Sequence, residues 1–315
     1  MTERNTTIDF LKGLAILAVL LVHTAQKYHL LPSVKYVCSF GQYGCSMFFV
    51  ISGYLAYKSL KDRTLDFYKR RLLSIVPGYW LTIAFFMLFT FVWASLGLSP
   101  QYRQCRSFNG IAANALLLHG FLPFCMNTVV PGGWYIGTLV VLYALTPLLK
   151  QSLKNKKPIV WGLFLVSLVL VNIVFQFTIT KMLKMTELSG NNHFLYFFFL
   201  NQLPCYLIGL YIADKDKEKD GRGNHFPNVW VGLLLILCAF SLTLFDWILS
   251  TMLLPPFVGL ACGFILYGSL QKQLDVSSKN GMSSIIYQRI SSYGAVSYSA
   301  YLPYRVCLLF YSYCQ

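Results

Sequence analysis

Apolar runs of about 20 residues recur along almost the whole chain, separated by short polar stretches. The candidate spans are 8–26, 37–57, 73–97, 133–149, 158–180, 193–213, 227–245, 249–270 and 290–313. Helices of this length cross a hydrocarbon core of about 30 Å, because each residue advances the axis by about 1.5 Å. Segment 109–125 (NGIAANALLLHGFLPFC) is shorter and carries Asn114, His119 and Pro123. It either crosses the membrane or re-enters from one side, where surrounding protein would bury its polar groups. No tandem repeat is visible, and the one low-complexity stretch, DKDKEKDGRG at 214–223, reads as a solvated loop. No polar stretch is long enough for a separate soluble domain. The pattern predicts a single membrane domain over 1–315: an all-α, polytopic transmembrane helical bundle of about 9–10 membrane helices.

Composition agrees. Of the 315 residues 56% are hydrophobic and only 12% charged, whereas soluble domains carry about 25% charged residues. With 17% aromatics and no period-2 alternation, the chain does not read as an outer-membrane barrel. The first apolar run follows Asp9 and Lys12 and lacks a small-residue cleavage site, so it does not read as a signal peptide.

The net charge of +15 first suggests nucleic acid. In a membrane protein, though, such charge sits in loops, where it sets orientation and attracts anionic headgroups. No groove-reading motif accompanies it, so no nucleic-acid partner is expected. Loop charges also choose a topology. With a cytoplasmic N-terminus and a non-crossing 109–125, Lys and Arg divide 19 inside to 6 outside; if that segment crosses, they divide 10 to 15. The positive-inside rule favours the first arrangement: a multi-pass protein of the inner or plasma membrane, N-terminus cytoplasmic. The nine cysteines show no CxxC spacing and fall mostly within apolar runs, as small hydrophobes do. A Cys105–Cys125 bridge on an oxidising face is an open alternative.

Four stretches could carry chemistry. KGLAILAVLLVH, residues 12–23, is apolar except at its ends. Lys12 and His23 lie eleven residues apart, hence on nearly one helix face and roughly 16 Å apart along the axis. A cytoplasmic N-terminus would put Lys12 near the inner surface and His23 two-thirds or more of the way across. Two readings of His23 stand: a functional intramembrane histidine suited to accept a hydroxyl proton, or a headgroup-level residue beside Thr24, Gln26, Lys27 and Tyr28. Asp9 and Lys12 are i,i+3 neighbours, and pairing would lower the cost of burying either. GCSMFFVISGYLAY, residues 44–57, interrupts an aromatic span with Gly44, Ser46, Ser52 and Gly53, which either allow close packing or make room for a long thin ligand. DFYKRRLLSIVPGYW, residues 66–80, holds Lys69, Arg70 and Arg71, with Lys58, Lys61 and Arg63 close by. This cluster is either a topology signal or a phosphate clamp. VVPGGWYIGTLVVLYALTPLLK, residues 129–150, places Trp134 and Tyr135 after a Pro-Gly-Gly turn, as interface anchors or substrate contacts.

The other polar positions say less. Asp246 marks a span end, His193 a loop, and Arg305 lies inside the last span, where it must face a partner, water or a headgroup. There is no HExxH, Walker loop, GxSxG elbow or Cys/His zinc spacing, so no metal is expected.

In this order the stretches resemble the acyltransferase-3 family of integral membrane O-acyltransferases, over essentially the whole chain. IDFLKGLAILAVLLVH resembles its opening helix, with a basic residue, ten intervening residues and a histidine. GCSMFFVISGYL resembles its second span, FYKRRLLSIVPGYW its Arg-rich loop, GGWYIGTLVVLYALTPLL its Trp…Tyr…Pro-Leu-Leu span, and LPCYLIGLYI and VSYSAYL later helices. The resemblance implies acyl transfer, usually of acetyl from acetyl-CoA, to hydroxyls of surface or lipid-linked polysaccharides. It implies a catalytic His23, Lys12 at the position of a family arginine, and Arg70 and Arg71, with Lys69 beside them, engaging the acyl donor. Asp9, Ser52, Trp134 and Tyr135 would support the site. The expected partners are the lipid bilayer, acyl-CoA and a carbohydrate or glycolipid acceptor. Departures are Lys12 itself, which lacks the guanidinium fork, Ser74 where an Arg is frequent, and Tyr304 where a histidine is frequent. Leu139 and Val140 stand where many members carry a Glu, which leaves no obvious carboxylate to orient His23. Two rival readings remain: an exporter of polysaccharide intermediates, and a non-catalytic relative of the family.

Overall fold

The structure is a computed structural model that describes residues 5–61, 63–96, 108–123, 125–182, 194–216, 228–242 and 247–271. The candidate span 290–313, Arg305, Tyr304, His193, Asp246, Cys105 and residues 217–223 of the charged stretch lie outside the described residues.

The described residues are mostly helical, with no strand among them, as the apolar periodicity predicts. Helix α1 (Thr6–Lys27) starts at Asn5, whose side chain accepts a hydrogen bond from the Ile8 N–H at 3.2 Å and so satisfies one orphan donor of the first turn. Helix α2 (Pro32–Ser39) runs through a tight 3-10 turn (Phe40–Gln42) into α3 (Tyr43–Ser59). The expected span 37–57 is therefore part of a longer helical path with a 3-10 turn at 40–42. The turn coincides with a close approach of α1, where a Cβ on Gly41 would collide with the Ala18 carbonyl.

Helices α4 (Thr64–Ser95), α5 (Phe108–Ala115), α6 (Trp134–Leu153) and α7 (Pro158–Met182) follow. After them come α8 (Phe194–Phe197), α9 (Phe199–Lys215), α10 (Asn228–Leu242) and α11 (Trp247–Gln271). Among the described residues six segments are long and apolar enough to cross a membrane: α1, α4, α6, α7, α8 with α9, and α11. The protein is thus a multi-pass helical bundle.

Helices α3 and α9 form its centre. A Cβ on Gly53 would strike the Tyr206 carbonyl, and one on Gly209 the Val50 carbonyl, so each helix presses a glycine onto the other's backbone. Without a hydrophobic force between helices in lipid, such close van der Waals packing is what holds them together. Helix α7 lies at the periphery, with Leu163, Val166, Leu170 and Val174 exposed.

One end of the bundle collects the basic residues. There α3, α6 and α9 finish and α4 and α7 begin, tied by Arg71 to Ser59, Lys150 to Tyr57, Lys58 to Asp216 and the Asn155 N–H to Asp214. Helix α4 leaves from this end and α6 returns to it, so the chain between them starts and finishes at the far end. Segment 109–125 therefore does not cross. It folds back against α4: the Tyr79 hydroxyl donates to Asn114 Oδ1 at 2.8 Å, and Trp80 Nε1 donates to the Ala115 carbonyl at 2.9 Å. His119, fully buried in the turn 119–121, stacks on Tyr79 and lies 2.9 Å from the Gly133 carbonyl through Nε2. Burial lowers its pKa below the ordinary histidine value. The ring is therefore neutral near pH 7, and the carbonyl fixes the proton on Nε2. This buried polar knot anchors the turn that launches α6, and with it Trp134 and Tyr135.

Candidate functional site

The basic end is built around the C-terminus of α3, whose last carbonyls have no partners within the helix. Arg71 donates from Nη2 to the Leu55 carbonyl at 3.0 Å and to Ser59 Oγ at 2.7 Å. Its guanidinium also sits 5.1 Å from the Tyr143 ring centroid and 5.7 Å from that of Phe67. Arg70 donates to the Ser59 carbonyl at 3.2 Å, and Lys150 donates to the carbonyls of Tyr57, at 2.9 Å, and Leu60. Three cations thus cap one helix end, where the negative pole of its dipole favours them. The basic cluster has a structural task beyond a topology signal. Both Arg71 hydrogen bonds use Nη2. Arg70 and Lys69 are exposed.

From this cap an open stripe climbs α3. Along the helix only Cys45, Phe48, Ser52, Leu55, Lys58 and Ser59 are half-buried; every other residue from Tyr43 to Ser59 is buried. Spacings of three and four put Cys45, Phe48, Ser52, Leu55 and Ser59 on one face. The stripe is about 21 Å long at 1.5 Å per residue. Its upper wall is aromatic. Tyr135 lies 6.3 Å from Phe48 and 4.8 Å from Phe49 by ring centroids, and its hydroxyl meets Ser52. Trp134 packs edge-on against Tyr135 at 5.9 Å and stacks on Phe197 at 4.2 Å. Of the four small residues in GCSMFFVISGYLAY, Gly44, Ser46 and Gly53 are buried in helix packing and Ser52 opens onto the stripe.

Helix α1 borders this face of α3 antiparallel: Gly44 packs on the Ala15 carbonyl and Gly41 on that of Ala18. Carrying this register along both helices puts Lys12 level with Met47 and Asp9 level with Val50. Lys12 is therefore about 18 Å along the axis from the basic end of α3. Both side chains are buried, and Lys12 Nζ lies 3.8 Å from Asp9 Oδ1, the expected i,i+3 pair.

His23 is exposed. At 100° per residue it lies about 20° around α1 from Lys12 and about 180° from Leu14, which with Leu17 and Leu21 forms the exposed apolar side of the helix. The imidazole thus belongs to the meridian of Asp9, Lys12 and Ile16, turned away from the leucine stripe. Its level is that of Tyr36, about 14 Å beyond Cys45 toward the far end.

Sequence reasoning singled out most of these residues but missed the stripe itself. All its positions except Ser52 and Ser59 are apolar or cysteine in an apolar span, so no polar periodicity announced it. Lys150 entered the sequence reading only as one of the loop charges. Among the described residues no three His, Cys, Asp or Glu side chains gather as metal ligands would.

Comparison with known families matches residues 5–312 to an acyltransferase domain. No curated protein and no solved structure matches the chain.

Proposed function

The chain belongs to that acyltransferase family, and from this premise we propose that it moves an acyl group, acetyl foremost, from cytosolic acyl-CoA to a hydroxyl of a surface or lipid-linked polysaccharide. The observation that carries the reading is the α3 stripe, a half-buried face on an otherwise buried helix, leading from the Arg71 cap to Tyr135 and Cys45. An extended pantetheine arm, roughly 15–20 Å, fits such a path. Arg70, Arg71 and Lys69 would attract the donor's phosphates to the mouth on entry, where guanidinium N–H groups bind phosphate oxygens in pairs. Ser52 and Tyr135 line the path, and Trp134 braces Tyr135.

His23 is the general base in this mechanism. Its imidazole takes the proton of the acceptor hydroxyl as that oxygen attacks the acyl carbon. The C–S bond then breaks, and the proton passes to the departing thiolate. Reach sets a condition. A donor stopped at Arg71 would hold its thioester near Cys45, about 14 Å short of the level of His23. The diphosphate must therefore enter as far as Lys12, which would exchange Asp9 for phosphate oxygens. From Lys12 to His23 is roughly 16 Å, one arm's length.

The test is acyl transfer from labelled acetyl-CoA in proteoliposomes. His23→Ala should lose roughly 10²–10⁴-fold in rate, the contribution of a positioned base. Its unfolding temperature should hold, because the side chain is exposed. Wild-type protein that moves glycan intermediates without consuming the donor would be an exporter. Full activity in His23→Ala would place the chemistry elsewhere.

A further inference from the structure

A second cavity, of about 450 Å³, opens between α7, α9 and α11, away from the α3 stripe. Trp161 and Gly162 of α7, Leu207 and Tyr211 of α9, and Phe264 and Tyr267 of α11 line it. Its volume lies in the lower part of the range of small-molecule sites, about 300–1,000 Å³. Three features bear on what fills it.

The groove is open where α7 faces the membrane. Among the described residues a Cβ on Gly162 would meet nothing within 4 Å, so α7 leaves open space at this position. Beside it Trp161 is buried, and its indole Nε1–H has no hydrogen-bond acceptor. A buried donor without an acceptor costs about 1–3 kcal/mol, which a ligand carbonyl brought alongside would offset.

The mouth lies at the basic end. Pro158 and Lys215 line the groove there, and Lys154, Lys156 and Lys157 on the loop before Pro158 are exposed. That loop is held against α9 because the Asn155 N–H donates to both oxygens of Asp214 at 3.2 Å. Lys215 thus lines the mouth, and three exposed lysines stand on the loop that enters it at Pro158. Of the two nearby acids among the described residues, Asp214 is buried and bound by Tyr57, the Asn155 N–H and Lys215, and Asp216 is bound by Lys58 and Tyr54. Among the described residues the rim is left with an excess of positive charge.

We propose that this groove binds one anionic phospholipid of the leaflet at the basic end. Its phosphate rests among Lys154, Lys156, Lys157 and Lys215, and a hydrocarbon chain runs over Gly162 between α7 and α11. Trp161 lies about one helical turn inside Lys157, the depth of the ester carbonyls below a phosphate, where tryptophan is favoured at membrane interfaces. Lysines near a leaflet surface attract anionic lipid, each contributing about 1 kcal/mol. The site is independent of the acyl-transfer reading.

The test uses the full chain in nanodiscs with phosphatidylglycerol or phosphatidylcholine bearing the same brominated acyl chains, since bromine quenches tryptophan on contact. The difference between wild type and Trp161→Phe isolates the Trp161 signal. Brominated phosphatidylglycerol should quench it at least twofold more than brominated phosphatidylcholine at equal mole fraction. Gly162→Phe, which fills the groove, should remove that preference, and so should the combined change of Lys154, Lys156 and Lys157 to Gln. The lysine variant alters only exposed side chains, so it decides the matter even if Gly162→Phe does not fold. Equal quenching by the two lipids, no quenching of Trp161, or a preference that survives the lysine changes would each overturn the proposal.

Discussion

Arg71→Ala separates a capping role from a purely ligand-binding one. The side chain makes two hydrogen bonds, at 3.0 and 2.7 Å, and lies within 6 Å of two aromatic centroids. Charge-assisted hydrogen bonds contribute about 1.5–3 kcal/mol each when buried. This guanidinium is half-buried, so the pair is worth nearer 1 kcal/mol apiece. Each cation–π contact adds about 0.5–1 kcal/mol. Because the four contacts are not additive, the expected loss is about 2–4 kcal/mol. For a chain of this size that corresponds to a fall of roughly 4–8 °C in unfolding temperature. The assay is thermal unfolding in detergent with no acyl-CoA present. Arg70→Ala is the control: its one bond, at 3.2 Å from an exposed side chain, should cost under about 1 kcal/mol. Arg71→Lys should recover less than half the loss, since an ammonium cannot cover both acceptors and both rings. If Arg71→Ala leaves the donor-free protein as stable as Arg70→Ala does, Arg71 does not cap α3, and only the clamp or topology roles remain for it.

Three further outcomes follow from the geometry. Ser52→Trp should obstruct the α3 stripe and raise KM for acetyl-CoA about tenfold or more with little change in unfolding temperature; an unchanged KM would show that the donor takes another path. Gly53→Ala should destabilise the α3–α9 contact by about 1–3 kcal/mol, because the new methyl meets the Tyr206 backbone carbonyl, which cannot rotate away. Gly162→Ala should be tolerated, and equal denaturation curves for the two would contradict this packing. Burial lowers the His119 pKa, so the unfolded chain binds the proton more readily than the folded one. Its stabilising contribution is complete above the ordinary histidine pKa, near 6.5, and declines as pH falls below it. Between pH 7 and 5 the wild type should therefore lose more stability than His119→Gln, which keeps a donor for Gly133 but does not titrate; identical pH slopes would refute the buried neutral ring.

The sequence alone determined the class of the fold. Runs of about 20 apolar residues have one stable solution in lipid, a helix that satisfies its own backbone. The division of loop charges favoured a non-crossing 109–125, and the i,i+3 spacing paired Asp9 with Lys12. The ordered motifs also named the family, because they are local strings that need no third dimension.

Tertiary structure decided what depends on one helix's register against another. The contact of Gly44 with Ala15 fixes how far α1 is slid along α3, which sets buried Lys12 level with Met47 and leaves His23 turned away from the exposed leucines. No periodicity within α1 contains that offset. The same holds for the open stripe on α3. Lipid, protein and an internal cleft all accept apolar side chains, so an apolar span does not encode which of its faces is packed and which is open. Only the neighbouring helices make that distinction.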